Sequence, residues 1–140
     1  EELSAQEIYE MGCKVEPFQI ASDTRMGHIH LSVRDSRAAS GFYQKVLELA
    51  DKFTVPSASW IASGDYHHHL AVNEWGGKHL AKREAQLPGL AYYVVHVEKK
   101  EDLVAIAERA KEQEVAVTWL TSSELEFTDP DGIVTRVRKA

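Results

Sequence analysis

Three of the chain's seven histidines stand in a row, His67-His68-His69, between the turn pair Gly64-Asp65 and the glycine pair Gly76-Gly77. An unperturbed imidazole has a pKa of about 6.5, so at neutral pH its lone pair is mostly free to bind Zn, Fe, Ni, Cu or Co. From His67 to Glu74 the residues alternate like a strand. Side chains on a strand point in turn to its two faces, which predicts His67, His69, Ala71 and Asn73 on one face and His68, Leu70 and Val72 on the other. The stretch His28-Ile29-His30-Leu31-Ser32-Val33 repeats the pattern, with His28, His30 and Ser32 opposed to Ile29, Leu31 and Val33. Two such strands with their histidine faces turned into one cavity make a metal site.

The elements that must position these faces come from the rest of the chain. At 140 residues, 44% hydrophobic and 27% charged, it is long enough for one compact domain and short for two. A net charge of -6 provides no basic surface for nucleic acid or anionic lipid. No apolar run approaches the roughly 20 residues that span a bilayer, and no signal-like segment opens the chain. The single cysteine, Cys13, allows no internal disulfide and fits a reducing, cytoplasmic setting. The chain starts at Glu1 rather than Met, which reads as part of something longer.

Residues 1–25 read as a linker or arm, with a short helix from Ala5 to Met11 ended by Gly12 and an extended stretch around Pro17. From Met26 the order becomes regular. Gly27 to Val33 is a strand, and Asp35-Ser36 offers an N-cap for a helix carrying Ala39, Phe42, Val46 and Leu49. Strands come next at Asp51 to Val55, Ala58 to Ser63 and His67 to Glu74, completing a βαβββ module over 26–77. Residues 78–88 read as a solvated connection. The order then restarts as module two, 89–138. It has a strand at Leu90 to Val97, a helix at Glu101 to Glu114 and strands at Val115 to Trp119, Glu124 to Thr128 and Ile133 to Arg138, with a turn at Asp129-Pro130-Asp131-Gly132. Two copies of one unit imply a duplicated module within a domain spanning 26–140. The alternation places Tyr92, Val94, His96, Val134 and Arg136 on the inward face with the histidines. It places Tyr93, Val95, Val97, Ile133 and Val137 beneath the helices with Ile29, Leu31, Val33, Leu70 and Val72.

The segments MGHIHLSVRDSRAASGFYQKVLEL (26–49), HHHLAVNEWGG (67–77) and FTDPDGIVTRV (127–137) resemble the vicinal oxygen chelate superfamily, which includes glyoxalase I, extradiol dioxygenases and bleomycin-resistance proteins. Within it, MGHIHL followed by GDYHHHLAVNEWGG is most similar to the C-terminal half of two-domain bacterial proteins of the catechol 2,3-dioxygenase kind. The resemblance implies an α+β fold, two βαβββ modules forming a cupped mixed sheet with helices on the outside. It implies a divalent metal (Fe, Zn, Ni or Mn) inside the cup, a small-molecule substrate with vicinal oxygens, and an N-terminal sister domain or a second copy of the chain as partner. Ligands come from the first and fourth strands of each module, which makes His28 and His69 the expected metal ligands. In module two the corresponding positions fall on Tyr92 and Arg136, where extradiol enzymes carry histidine and glutamate, and Ile133 stands where asparagine is usual. A two-histidine, one-carboxylate set on Fe(II) therefore cannot be assembled from those positions.

Two histidines hold a metal loosely unless a further ligand or a chelating substrate completes the shell. His30 and His67 each stand two residues from an expected ligand, a displacement of about 6.6 Å along a strand, which suits lining better than co-ligation. Tyr92 could serve as a phenolate only if the metal itself drove off the proton. Arg136 repels a metal and attracts an anionic group. The bland readings are a polar edge for the histidine run, polar lining for His30 and His96, a surface place for His79, and packing for Trp60, Trp75 and Trp119, with Trp75 also near enough to wall the mouth. Glu74 and Glu126 are general-base candidates by proximity alone, and a solvated face is their default. No catalytic residue is assigned. The two functional expectations are a metal-binding domain of a ring-cleavage or glyoxalase-like protein, and a non-catalytic domain that binds a small molecule in the manner of bleomycin-resistance proteins.

Overall fold

The computed structural model describes residues 4–12, 19–77, 80–81, 84 and 86–140. Cys13, Pro17 and His79 lie outside the described residues, as does part of the expected connection. The elements are α1 (Ala5–Met11), β1 (Ile29–Ser32), α2 (Ser36–Leu47), β2 (Ala50–Val55), β3 (Ala58–Ala62), β4 (Leu70–Asn73), β5 (Tyr93–Val97), α3 (Lys100–Glu112), β6 (Val117–Thr121), β7 (Glu124–Thr128) and β8 (Val134–Lys139). The expected α+β class holds, and β1 onward is the expected pair of βαβββ units. Each unit forms its own four-stranded mixed sheet, in the orders β1-β4-β3-β2 and β5-β8-β7-β6. In each, the first strand runs parallel to the last, and the other pairings are antiparallel.

Local chemistry sets the helix starts. Asp35 caps α2, its Oδ1 accepting from the N–H groups of Arg37 at 3.0 Å and Ala38 at 2.9 Å, which satisfies donors that the first turn leaves without a partner. One stripe of α2 (Ala39, Phe42, Tyr43, Val46) and one of α3 (Leu103, Ile106, Ala107, Ala110) are buried. They meet the sheet faces carrying Leu31, Val33, Ile61, Leu70 and Val72, and Leu125, Phe127, Ile133 and Val137, and all belong to one hydrophobic cluster. Ile29, Tyr93, Val95 and Val97, also expected beneath the helices, pack against that cluster partly buried. Removing side chains of this size from water contributes about 1.5–3 kcal/mol each. The helices α2 and α3 each lie on the sheet of their own module, and α2 packs on α3, so the core runs from one sheet to the other through them.

Several boundaries differ from the expected ones, although α1 spans the expected Ala5–Met11. The fourth strand begins at Leu70 rather than His67, because β1 begins at Ile29, which pairs with Leu70, and has no residue to offer an earlier one in the ladder. Tyr92 lies just before β5. The helix α1 has Ser4 as its N-cap and buries none of its residues. No helix among the described residues is long and apolar enough to cross a membrane.

The modules are tied by a buried hydrogen bond. Tyr43 of α2 donates its hydroxyl to Asp129 Oδ2 at 2.7 Å, while Asp129 Oδ1 accepts from the Ile133 N–H at 2.7 Å and so closes the turn before β8. Nearby, the Arg34 Nε is 2.6 Å from Asp131 Oδ1. Burial pushes the Asp129 carboxyl above the usual carboxylate range, against the pull of its hydrogen bonds from Tyr43 and Ile133. Its folded pKa being raised, Asp129 contributes stability that is fully present below the unfolded-state value and is lost as pH rises through the folded one. Wild type should therefore gain on Asp129→Asn, in urea-unfolding free energy, as pH is lowered from about 7 to about 4; a constant difference would contradict the shift. Tyr43→Phe should cost about 1–3 kcal/mol at neutral pH in the same measurement, because it strips a donor from a buried carboxylate.

Candidate metal centre

The parallel register of β1 on β4 sets His30 beside Ala71 and Ser32 beside Asn73, so these four share a face, as the alternation predicts. The ladder reaches one residue further through backbone bonds from Ile29 N–H to the His69 carbonyl at 3.1 Å and from His69 N–H to the Ile61 carbonyl at 3.0 Å. Beyond that, residues 64–69 form a turn and bends, entered through Gly64 at φ +60°, a conformation that suits glycine. Strand alternation therefore does not govern His67 and His68. His68, expected on the apolar face, lies with its ring centroid 4.2 Å from that of His28 and its Nε2 3.1 Å from His30 Nε2. His67 sits 4.5 Å from the His68 ring and 5.7 Å from the His28 ring. Ligand nitrogens of His28, His67 and His68 all lie within 4.8 Å of one another. Sequence reasoning missed His68. The signal that could have found it was three polar residues directly after a turn, before the apolar run starts.

His69 is held differently. Its Nδ1 accepts the Ser63 N–H at 3.3 Å, and its ring lies against Tyr66 at 4.7 Å and 34°. A neutral ring accepting at Nδ1 carries its proton on Nε2, so in this arrangement His69 presents a donor there rather than a lone pair. Tyr66 also contacts His67 at 4.3 Å, linking the two rings. Burial, followed by the neighbouring imidazoles with His28 first, pushes the His68 pKa down to about 4. Burial and then His28 lower that of His30, and burial, then His67 and Lys52, lower that of His69. Each of these shifts favours the uncharged ring that a metal needs.

Beside the imidazoles runs an aromatic wall. Trp60 pairs with Ala71 across β3 and β4, and Phe53 pairs with Trp60 across β2 and β3, so all three share the histidine face. The Phe53 and Trp60 rings are 5.4 Å apart, Trp60 and Trp75 6.4 Å, and Trp75 and His30 6.3 Å. Ala71 and Asn73 lie buried between them, and Trp75 is 63% exposed. It therefore stands at the surface beside the histidines rather than in the core. Asn73 Oδ1 accepts from the Trp75 N–H at 3.3 Å, fixing the departure of the chain from β4.

Carboxylates near the site have structural work. Glu74, a general-base candidate with a solvated default, is partly buried and accepts from both the N–H and the hydroxyl of Ser36 at 2.8 Å. It anchors the start of α2 to the end of β4. The module-two positions form their own group on the other sheet. Arg136 Nε is 2.7 Å from Glu126 Oε2, and its guanidinium carbon lies 3.7 Å over the centre of the Tyr92 ring, a cation–π arrangement. Glu126 is therefore ion-paired rather than a solvated face. His96 is exposed on β5. Among the described residues, the group of His, Cys, Asp and Glu ligand atoms close enough to share an ion contains no carboxylate.

A model of the Glyoxalase/Bleomycin resistance protein/Dioxygenase superfamily matches residues 25–137. The chain belongs to this superfamily. A catechol-2,3-dioxygenase of Bacillus subtilis (strain 168) is 36% identical over 94 residues, which are 66% of this chain and 33% of that protein. The matched part thus spans about a third of that relative's length. Among solved superfamily folds, the lactoylglutathione lyase of Agrobacterium tumefaciens superposes with a TM-score of 0.62 at 18% identity, over 86% of this chain and 96% of that one. A glyoxylase/bleomycin resistance protein/dioxygenase domain from Frankia sp. EAN1pec gives 0.65 at 21% identity, over 85% and 99%. The fosfomycin resistance protein FosX of Listeria monocytogenes, in complex with Mn(II) and a sulfate ion, gives 0.61 at 14% identity, over 86% and 92%.

In this superfamily member the Glu74 anchor holds β4, and with it the histidine bend, against α2. Glu74→Ala should destabilise the domain by about 1–3 kcal/mol in chemical denaturation, since it leaves two donors at the helix start without their acceptor. Glu74→Gln, which keeps an oxygen acceptor, should recover part of the loss.

Proposed function

We propose that this chain is a divalent-metal-binding domain of the glyoxalase/dioxygenase type, the C-terminal half of a cytoplasmic ring-cleavage dioxygenase-like protein. The observation that carries the reading is the convergence of His28, on the first strand of module one, with His67 and His68 on the bend before the fourth. His28 and His69 are the ligands that the superfamily resemblance implies. In this chain the lone pairs that face His28 belong to His67 and His68, and His69 steadies the bend through Ser63 and Tyr66. Imidazole donors suit a divalent transition metal. When bound, such an ion supplies Lewis-acid polarisation of two adjacent oxygens of a small-molecule substrate. The protein's own part is to hold the His68 ring uncharged, to offer Ala71 and Asn73 as a floor, and to present Trp60, Trp75 and Phe53 as a wall for the flat face of a substrate. The match to about a third of a longer dioxygenase supports reading residues 1–25 as the connection to a sister domain, which would supply what module two does not.

A second reading is a non-catalytic small-molecule-binding domain like the bleomycin-resistance proteins. It is favoured by the module-two group, where Arg136 is engaged by Glu126 and Tyr92 and no ligand set is left. The two readings part on metal content. Protein prepared without a nickel column should contain close to one divalent ion per chain by elemental analysis. His28→Ala/His68→Ala should lose it while keeping its far-ultraviolet circular dichroism, and a metal-free wild type that still binds aromatic ligands would establish the second reading instead.

A further inference from the structure

Four imidazoles, not two or three, occupy the end of sheet one. His30 was expected to line the site from two residues away, yet its Nε2 is 3.1 Å from His68 Nε2 and its ring is 5.2 Å from that of His28. Without a metal, two neutral rings at this distance share one proton as a hydrogen bond. Two nitrogens bound to one ion at about 2.0–2.1 Å sit about 2.9 Å apart at a right angle and about 3.4 Å apart at the tetrahedral angle. The observed spacing falls between these. His30 stands outside the set of His28, His67 and His68 nitrogens that lie within 4.8 Å of one another, so its ring must turn toward that set, about the nitrogen of His68 it already touches, to bind the same ion.

No anionic donor belongs to the cluster among the described residues. Asp65, two residues before His67, is not in the group of ligand atoms. Glu74 is turned to Ser36, Asp35 to the α2 N-terminus and Glu126 to Arg136 on the other sheet. Oxygen-preferring ions such as Mg(II), Ca(II) and Mn(II) are held by carboxylates, carbonyls and water, whereas imidazole suits Zn, Cu, Fe and Ni. We infer that the site is a carboxylate-free, four-imidazole centre in which His30 is the fourth ligand, and that it selects Zn(II), Cu(II) or Ni(II) against Mn(II). This rests on the metal-binding reading above and narrows it: the Mn(II) of the FosX complex is the kind of ion this donor set discriminates against.

The test uses the full 140-residue chain, stripped of metal, with the metals alone as probes. Calorimetric titration with Zn(II), Ni(II) and Mn(II) should give one site per chain for the first two and at least about 100-fold weaker binding of Mn(II). Nitrogen hyperfine structure in the electron paramagnetic resonance spectrum of the Cu(II) form should report four equatorial nitrogens in wild type and three in His30→Ala. His30→Ala and His30→Gln should each weaken Zn(II) by at least about tenfold, and Asp65→Asn should leave it unchanged. His30 is exposed, so both variants should keep the wild-type circular dichroism. Equal affinity for Mn(II) and Zn(II), an unchanged nitrogen count in His30→Ala, or loss of binding in Asp65→Asn overturns the four-imidazole assignment while leaving a metal domain standing. Absence of any binding to wild type overturns both.

Discussion

The parallel pairing of β1 with β4 is the constraint on which the rest of the site depends. Ile29 beside Leu70 is the last matched pair at that end, so His28 and His67-His68 lie just past the ladder, where no backbone partner dictates where side chains point. A slip of one residue would reverse the faces of a strand, taking Leu31 and Val72 from beneath the helices to the histidine face. The buried row on the helix side therefore fixes the register, and the register delivers the imidazoles together. Hydrophobic burial sets the geometry here, and the polar chemistry exploits the strand end that burial leaves free.

The Phe42-Tyr43 pair and the Asp129-Pro130-Asp131-Gly132 turn, both within segments that carry the superfamily resemblance, meet in the interior rather than at the site. Tyr43, from the Phe42-Tyr43 pair on α2, donates to Asp129, from the Asp129-Pro130-Asp131-Gly132 turn, and the Phe42 ring lies 6.0 Å from that of Phe127. These residues hold module one to module two through the helices. Their pattern therefore speaks for the fold, while the proposed metal chemistry rests on residues that belong to module one alone. Fold kinship and site chemistry are separable here, and the difference between the imidazole cluster and the Arg136–Glu126–Tyr92 group shows how far two copies of one unit can diverge.

Module two carries an ion-paired surface on its open face. Arg136 with Glu126 and Arg138 with Glu124 pair across β7 and β8, each placed by the antiparallel register that sets the residues opposite one another. Module one kept its face uncharged, with small alanines in the floor and indoles at the rim. The face of module two is satisfied by itself, whereas that of module one presents a cluster of imidazoles.

Read along the chain, the residues specify the elements and the core. Period-two and helical spacing mark Leu31, Val33, Leu70 and Val72 as buried and α2 and α3 as amphipathic, because burying apolar area requires that spacing whatever the partner. The chain also marks the region of the site, since histidines at 28, 30 and 67–69 are too concentrated for chance packing. Which rings meet is a matter for the folded molecule alone. Alternation assigned His69 to the site and His68 to the core, on the assumption that the strand began at His67. The strand begins at Leu70 because its partner begins at Ile29, and that start is a property of two segments about forty residues apart. Likewise, Glu74 reads as a solvated acid until α2 brings Ser36 to it. Local periodicity reports which face a residue prefers; the direction of a side chain on a bend comes from contacts that a single stretch of sequence does not contain.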